Sequence, residues 1–250
     1  MIEDWFHGVK RRIVHRCLPP PVSVRHSEYS MLLSADDDHS QPTPEQVELS
    51  LEVIRAASKI QFSELSSRMS GPPYYPDVWP GEHYRLLAGF VQVLQPKVVV
   101  EIGTASGFSS LAIKETLPAD GKIVTYDIVP WKQFPGVVLT DDDFEDGRLE
   151  QRVCDLSVAS EARMQSGILK TGEFFFIDAA KDGQQEQSFF DNLRTVGLAS
   201  PWVVFDDIRL WNMLRFWRLI PMPKLDMTSF GHWSGTGLVQ WQDGNTPNVR

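Results

Sequence analysis

Short apolar segments alternate with longer amphipathic ones through the second half of the chain. Five short segments read KVVVEIG, KIVTYDI, LEQRVCDL, EFFFIDAA and PWVVFDD, and helical patterns such as SSLAIKETL and QQEQSFFDNLRTVG separate some of them. Strands that are buried on both faces show near-continuous apolar runs, and they alternate with helices in parallel sheets. The pattern therefore predicts a parallel sheet with helices on both faces.

Two further regions flank this alternation. The segment TPEQVELSLEVIRAASKIQFSELSSRM has helical spacing, with Thr43 as its cap, Pro44 in its first turn and Gln46 completing a capping box. Its predicted apolar stripe consists of Val47, Leu51, Ile54, Phe62, Leu65 and Met69. Near the C-terminus, KLDMTSF and TGLVQWQ predict an antiparallel strand pair. We therefore expect an N-terminal extension, partly helical, over residues 1–75 and the sheet domain over residues 76–250.

Composition narrows the class of protein. The chain has 250 residues, of which 42% are hydrophobic, and no apolar run long enough to span a bilayer. Its two cysteines, Cys17 and Cys154, show neither metal-ligand spacing nor a disulfide framework, so a reducing cytoplasm is the expected location. A net charge of −9 disfavours nucleic acid as a partner. We expect a small-molecule partner, no nucleic acid and no membrane.

The first predicted strand runs into a glycine turn, EIGTASGFSS. Gly103 and Gly107 allow a tight turn, and Ser109 lies at the start of the next helix, where free backbone amides favour an anionic or polar ligand. A dinucleotide-dependent oxidoreductase would show G-x-G-x-x-G at this place, which the sequence lacks. The second strand ends at Asp127, whose carboxylate can accept both hydroxyls of a ribose. The third ends at Asp155, where an adenine amino group can be recognised; taken by itself, Asp155 fits almost as well as an ordinary loop aspartate or a helix cap.

Three more aspartates follow the fourth and fifth strands. Asp178 ends FFFID, and Asp206 and Asp207 end WVVFDD, with Lys181 three positions after Asp178. Carboxyl ends of parallel strands share one edge of the sheet, so these carboxylates would repel one another unless a cation lies between them. Oxygen ligands of this kind suit Mg²⁺. The alternative is structural: Asp206 caps the next element, and Asp207 pairs with Arg209 or Lys181.

Together these segments resemble the class I S-adenosylmethionine-dependent methyltransferases, and more closely the cation-dependent catechol and caffeoyl-CoA type of O-methyltransferase. EIGTASGFS is similar to that group's glycine motif, IDAAKDG to its D-x-x-K-D strand end and FDDIRLWN to its D-N/D-x-x-x-W segment. SGTGLVQW resembles the glycine turn before its last strand. The resemblance covers about residues 78–240. It implies a Rossmann-like α/β fold: a seven-stranded, mostly parallel sheet with helices on both faces and an antiparallel C-terminal hairpin.

The resemblance also implies roles for individual residues. Glu101, Gly103 and Ser109 would hold the methionine part of S-adenosylmethionine, Asp127 its ribose and Asp155 its adenine side. Further cofactor contacts are expected from Thr104, Ala105, Gly107, Ile128, Leu156 and Asp178. A divalent cation, Mg²⁺ by this interpretation, would be held by Asp178, Asp206 and Asp207. Lys181 occupies the place of the family's general base.

The predicted activity is methyl transfer to a hydroxyl of a small, aromatic or vicinally oxygenated molecule, as in secondary metabolism. A phenol is mostly protonated at neutral pH, so a cation that stabilises the oxyanion and a lysine with a lowered pKa would both promote the reaction. His83 and His232 are alternative bases. Acceptor contacts are expected from Tyr75, Trp79, His83, Tyr84, Trp211 and Trp233, with ordinary core packing as the alternative for each ring taken singly.

Three alternatives stay open at this point. The first is a metal-independent methyltransferase for an O, N or C acceptor, in which the aspartates only orient the substrate. The second is a nucleotide-dependent oxidoreductase, and the third is a binding module without catalysis. For its assembly, a homodimer is one expectation.

Overall fold

The computed structural model of the chain describes residues 41–69, 75–210 and 212–242, all of them within a compact unit that spans Asp38–Arg250. The first 40 residues of the predicted N-terminal extension lie outside the described residues. No helix of the described part of the chain is long and apolar enough to cross a membrane.

A seven-stranded sheet forms the centre of the unit. Its strands are β1 (Val98–Ile102), β2 (Lys122–Asp127), β3 (Leu149–Val153), β4 (Phe174–Ile177), β5 (Trp202–Asp206), β6 (Lys224–Asp226) and β7 (Thr236–Gln240). The strand order is β3-β2-β1-β4-β5-β7-β6, with β1 to β5 parallel and β7 antiparallel to both β5 and β6. The predicted mostly parallel sheet with an antiparallel C-terminal pair is thus confirmed.

Nine α-helices occur in the described part of the chain. They are α1 (Pro44–Ala57), α2 (Ser63–Ser67), α3 (Tyr84–Leu94), α4 (Phe108–Thr116), α5 (Asp142–Glu145), α6 (Ala159–Met164), α7 (Ser166–Leu169), α8 (Gln184–Val196) and α9 (Met213–Leu219). Short 3-10 turns cover Tyr75–Asp77, Trp131–Gln133 and Thr228–Phe230.

The two faces of the sheet bury separate hydrophobic clusters, because alternate residues of each strand point to opposite sides. On one side, Val203 and Phe205 pack with residues of α8 and α9. On the other, Phe174, Phe176 and Val204 pack with residues of α1, α3 and α4. With both faces covered, the polar residues that end the strands are gathered at the carboxyl edge. The strand order reverses between β1 and β4, which is where open α/β sheets bind ligands.

The predicted apolar stripe is buried only in part: Phe62 and Leu65 are buried and Ile54 packs against the core, whereas the prediction is wrong for two positions of α1. Val47 is 41% exposed and Leu51 is 50% exposed, and the helix ends at Ala57 instead of continuing through Phe62. The buried face consists of Gln46, Leu49, Ser50, Val53 and Ala57. A polar residue can lie on the buried face because its side chain finds a hydrogen-bond partner there.

The hydrogen-bond partner of the Gln46 side chain explains why the predicted capping box does not form. Thr43 caps α1 by accepting from the Gln46 amide at 3.1 Å, as expected. The Gln46 side chain does not return to the cap, however. Its Nε2 donates instead to the Leu238 carbonyl of β7 at 2.7 Å. Gln46 therefore ties α1 to the C-terminal hairpin.

We predict that Gln46→Ala lowers the free energy of unfolding by about 1–3 kcal/mol, because it leaves the buried Leu238 carbonyl without this donor. Urea denaturation of the full chain measures the change. Glu48→Ala, at an exposed position of the same helix, is the matched control and should change stability by less than about 0.5 kcal/mol. Equal effects of the two substitutions would contradict this role of Gln46.

Candidate active site

The turn after β1 brings the ends of three parallel strands together. Gly103 has φ 103°, and a Cβ atom placed on it would lie 1.9 Å from the carbonyl oxygen of Asp178. The Gly103 amide donates to the Tyr126 carbonyl of β2 at 2.7 Å. Because a side chain fits neither this φ angle nor this distance, only glycine lets β1 and β4 end so close together.

A cavity of about 300 Å³ opens beside this turn. Seven of the eleven predicted cofactor-binding residues line it: Gly103, Ala105, Asp127, Ile128, Asp155, Leu156 and Asp178. They come from the ends of β1, β2, β3 and β4. The strand ends thus form one pocket, as expected for a cleft at the carboxyl edge of the sheet.

Backbone and hydroxyl donors hold the two carboxylates of this cavity in place. Asp127 accepts from the amides of Ala105 at 3.0 Å and Val129 at 2.9 Å. Asp155 accepts from the Ser157 amide at 2.9 Å and the Ser157 hydroxyl at 2.6 Å. Carboxylate oxygens carry further lone pairs, so both residues can still accept hydrogen bonds from a ligand.

The other four predicted cofactor residues, Glu101, Thr104, Gly107 and Ser109, do not line this cavity. Glu101 is fully buried, accepts a short hydrogen bond from Ser110, and leaves its Oε1 without a partner. Burial raises the pKa of Glu101 to about 7, although hydrogen bonds from Ser109 and Ser110 oppose the shift. Gly107 is in the left-handed region, with Leu139 where a side chain would be.

Asp178, Asp206 and Asp207 come together as predicted. Each offers a carboxylate oxygen within 4.8 Å of the others. Consecutive residues of an extended strand point to opposite faces. Asp207 departs from the strand with φ 57°, a left-handed conformation that aspartate tolerates, and both neighbours thereby reach the same cluster.

Lys181 neutralises part of this charge. Its ammonium contacts Asp207 Oδ2 and lies 3.3 Å from Asp178 Oδ1, whereas Arg209 pairs with Asp226 instead. Burial would lower the pKa of Lys181, but Asp178 and Asp207 outweigh it and raise this pKa. This is opposite to the lowered pKa expected of a base. Burial and the charge of Asp206 raise the pKa of Asp178 to about 6.

Two histidines face the third carboxylate. Oδ2 of Asp206 lies 3.4 Å from His83 Nδ1 and 3.2 Å from His232 Nδ1. Burial would raise the pKa of Asp206, but the two histidines lower it. Burial acts in the opposite sense on His232, yet Asp206 and Asp207 raise its pKa to about 10. Positive groups thus surround the carboxylates on several sides.

Backbone pairing fixes where these histidines lie. The segment before α3 meets the segment before β7: the Gly81 amide donates to the Gly231 carbonyl at 3.0 Å, and the Trp233 amide donates to the Gly81 carbonyl at 2.9 Å. In the sheet, Thr236 of β7 is paired with Asp206 of β5. The residues just before β7 must therefore stand beside the aspartates.

Several predicted acceptor residues collect around these histidines. The rings of Tyr84 and His83 are 4.4 Å apart, and those of Trp233 and His232 are 5.5 Å apart. Trp233 is 71% exposed, and the Trp79 ring nitrogen donates to the Phe230 carbonyl at 2.8 Å. Trp211 and the side chain of Tyr75 lie outside the described residues.

Sequence reasoning missed Glu82 and Ser234. Glu82 Oε2 is 3.6 Å from His232 Nε2. The Ser234 hydroxyl contacts Asp207 and lies 2.7 Å from His232 Nδ1. The position of β7 next to β5 is the signal that could have found Ser234, since it places the HWSG segment opposite FDD.

Comparison with known proteins agrees with the sequence motifs. The chain matches a model of the O-methyltransferase family over residues 73–212. It is similar to the O-methyltransferase from Bacillus cereus in complex with SAH, with 20% identity, coverage of 80% of this chain and 92% of that chain, and a TM-score of 0.48.

Two further solved structures are similar at the same level. For the SAM-bound O-methyltransferase TomG from Streptomyces achromogenes, identity is 18%, coverage 79% of this chain and 99% of that chain, and the TM-score 0.49. For the SAH-bound methyltransferase PaMTH1 from Podospora anserina, the values are 16%, 82%, 91% and 0.46.

The family match covers more than half of the chain and includes the glycine turn and both aspartate segments. The chain therefore belongs to the O-methyltransferase family, as its motifs predicted.

Proposed function

We propose that this protein transfers a methyl group from S-adenosylmethionine to a hydroxyl of a small molecule, with a divalent cation at Asp178, Asp206 and Asp207. The observation that carries the proposal is the continuity of the two sites. Asp178 both lines the 300 Å³ cavity and belongs to the carboxylate cluster. A donor in the cavity and an acceptor at the cluster would therefore lie side by side, as in-line transfer requires.

The cavity suits the polar parts of S-adenosylmethionine. Asp127 would accept the ribose hydroxyls, and Asp155 would face the adenine side. Glu101 does not line this cavity, so its role in the proposal rests on the resemblance and on its buried Oε1, which has no hydrogen-bond partner and would suit the ammonium group of the methionine part. These assignments are the ones that the sequence resemblance implies.

The carboxylate cluster fits a cation. Asp178 Oδ1, both oxygens of Asp206 and Asp207 Oδ2 are buried and accept no hydrogen bond of regular geometry, although Lys181, His83 and His232 lie within ion-pair distance of the cluster. Buried carboxylates are costly unless cations compensate their charge, and hard divalent cations prefer such oxygen ligands. When bound, the cation would stabilise the negative charge of an acceptor oxygen as its proton leaves.

Lys181 is the proposed general base. Its raised pKa keeps it protonated while Asp178 and Asp207 attract it. When those carboxylates bind a cation, they no longer stabilise the ammonium form of Lys181. Lys181 can then lose its own proton and take up the proton of the substrate hydroxyl. The exposed ring of Trp233 and the Tyr84 ring would contact a planar, aromatic or vicinally oxygenated acceptor.

One observation favours the metal-independent alternative. Lys181, His83 and His232 already place three basic groups around the three carboxylates. With both histidines protonated, the cluster is neutral without any cation. The acceptor would then be oriented by side chains alone, and the acceptor atom could be O, N or C.

The donor site is tested by Asp127→Ala. Loss of both carboxylate oxygens at the ribose position should weaken S-adenosylmethionine binding at least about tenfold, which calorimetry with the full chain measures. Asp120→Ala, at an exposed residue just before β2, is the control and should bind the donor normally. An unchanged dissociation constant for Asp127→Ala would exclude Asp127 from the donor site.

The cation is tested by chelation. With radiolabelled S-adenosylmethionine and a panel of catechols and other vicinal diols, EDTA should abolish methyl transfer and excess Mg²⁺ should restore it. In parallel, Asp178→Asn should weaken Mg²⁺ binding to metal-free protein at least about tenfold. Full activity in EDTA would reject the cation and support the metal-independent alternative.

A further inference from the structure

A second set of metal-ligating side chains lies next to the carboxylate cluster. His83, Asp206 and His232 each offer one ligand atom, and these atoms lie within 4.8 Å of one another. The set shares Asp206 with the oxygen cluster but differs from it in chemistry, since two of its three ligand atoms are imidazole nitrogens. His83 comes from the start of α3, and His232 from the segment before β7.

Two members of this set are buried and form an ion pair without a hydrogen bond of regular geometry. His83 is 4% exposed and Asp206 is 1% exposed. His83 Nδ1 and Asp206 Oδ2 are 3.4 Å apart, yet no hydrogen bond of regular geometry reaches either ring nitrogen of His83 or either oxygen of Asp206. Buried polar atoms are rarely left so, because each loses its interaction with water. Atoms that are close together but not hydrogen-bonded are what a common metal ion would satisfy.

The separations suit coordination of one ion. Metal–nitrogen and metal–oxygen bonds of about 2.0–2.1 Å in a tetrahedron place neighbouring ligand atoms about 3.3 Å apart. Oδ2 of Asp206 lies 3.4 Å from His83 Nδ1 and 3.2 Å from His232 Nδ1. The Asp207 Oδ1 atom also lies 3.2 Å from His232 Nδ1.

The surroundings of His232 support the same interpretation. Metal-bound histidines commonly donate their other ring nitrogen to a carboxylate; Glu82 Oε2 lies 3.6 Å from His232 Nε2, at an ion-pair distance and slightly too far for a hydrogen bond. The Ser234 hydroxyl lies at hydrogen-bond distance from His232 Nδ1 and also contacts Asp207. When a metal takes the place beside Nδ1, the hydroxyl can keep its contact with Asp207. Imidazole nitrogen favours transition metals over Mg²⁺, which prefers oxygen.

We propose that His83, Asp206 and His232 form a second cation site, which takes a divalent transition metal such as Zn²⁺ or Co²⁺. Three carboxylates and Lys181 are neutralised by one divalent cation when both histidines are neutral. The two ligand sets are therefore occupied one at a time, which rests on the proposed function of the oxygen cluster. The histidine site itself does not depend on methyl transfer.

The test is calorimetry of Zn²⁺ and, separately, of Mg²⁺ with metal-free full-length protein. In His83→Gln and in His232→Gln, either the number of bound Zn²⁺ ions should fall by one or Zn²⁺ should bind at least about tenfold more weakly. Mg²⁺ binding should be unaffected by either substitution. Asp178→Asn is the matched control: it should weaken Mg²⁺ and change the Zn²⁺ dissociation constant by less than about threefold.

The chain has six histidines, and the four that lie outside the described residues can also bind Zn²⁺. The two histidine variants are therefore needed to assign Zn²⁺ binding to this site. Thermal unfolding of each metal-free variant checks the fold; if His83→Gln does not fold, His232→Gln, in a segment between helix and strand, decides alone. Zn²⁺ binding that is unchanged in the histidine variants, or weakened as much by Asp178→Asn, would overturn the proposal. Neither result bears on S-adenosylmethionine binding, so a failure here is distinguishable from a failure of the proposed function.

Discussion

Mutual repulsion among three carboxylates is the constraint on which the arrangement of this site depends. Asp178, Asp206 and Asp207 end two neighbouring strands, and parallel pairing of those strands leaves them no way to separate. In a buried environment like charges interact strongly. Three basic groups from separate segments compensate this negative charge: Lys181 after β4, His83 before α3 and His232 before β7.

Much of this could be predicted from the sequence, and the reason is periodicity. Strands that are buried on both faces have continuous apolar runs, whereas half-exposed strands alternate apolar and polar residues. Because parallel strands end at the same edge of the sheet, the residues that follow such runs lie close together there. That reasoning places Asp127, Asp155, Asp178 and the Asp206–Asp207 pair correctly at the carboxyl edge. It needs only local sequence and the rule for parallel sheets.

What could not be predicted depends on contacts between distant segments. Gln46 is buried because the Leu238 carbonyl, 192 positions away in sequence, accepts its hydrogen bond, and helical spacing alone cannot reveal that acceptor. The direction of the Lys181 pKa shift likewise depends on the position of Asp207, which a left-handed φ brings into the cluster. Glu82 and Ser234 become meaningful only once β7 is placed beside β5.

Gly81 and His232 form an isolated β-bridge, which allows the ring at position 233 to change independently of the charged groups in the cluster. Its hydrogen bonds are made by backbone groups, so it needs glycine at positions 81 and 231 but no particular ring at position 233. Trp233 lies beside His232 and is exposed, whereas the Trp79 ring donates to the Phe230 carbonyl and so helps to join the two segments. Replacing the Trp233 ring would alter the surface beside the cluster while the charged groups kept their positions. Under the proposed function, the preference for an acceptor can thus change without any change in the charged groups.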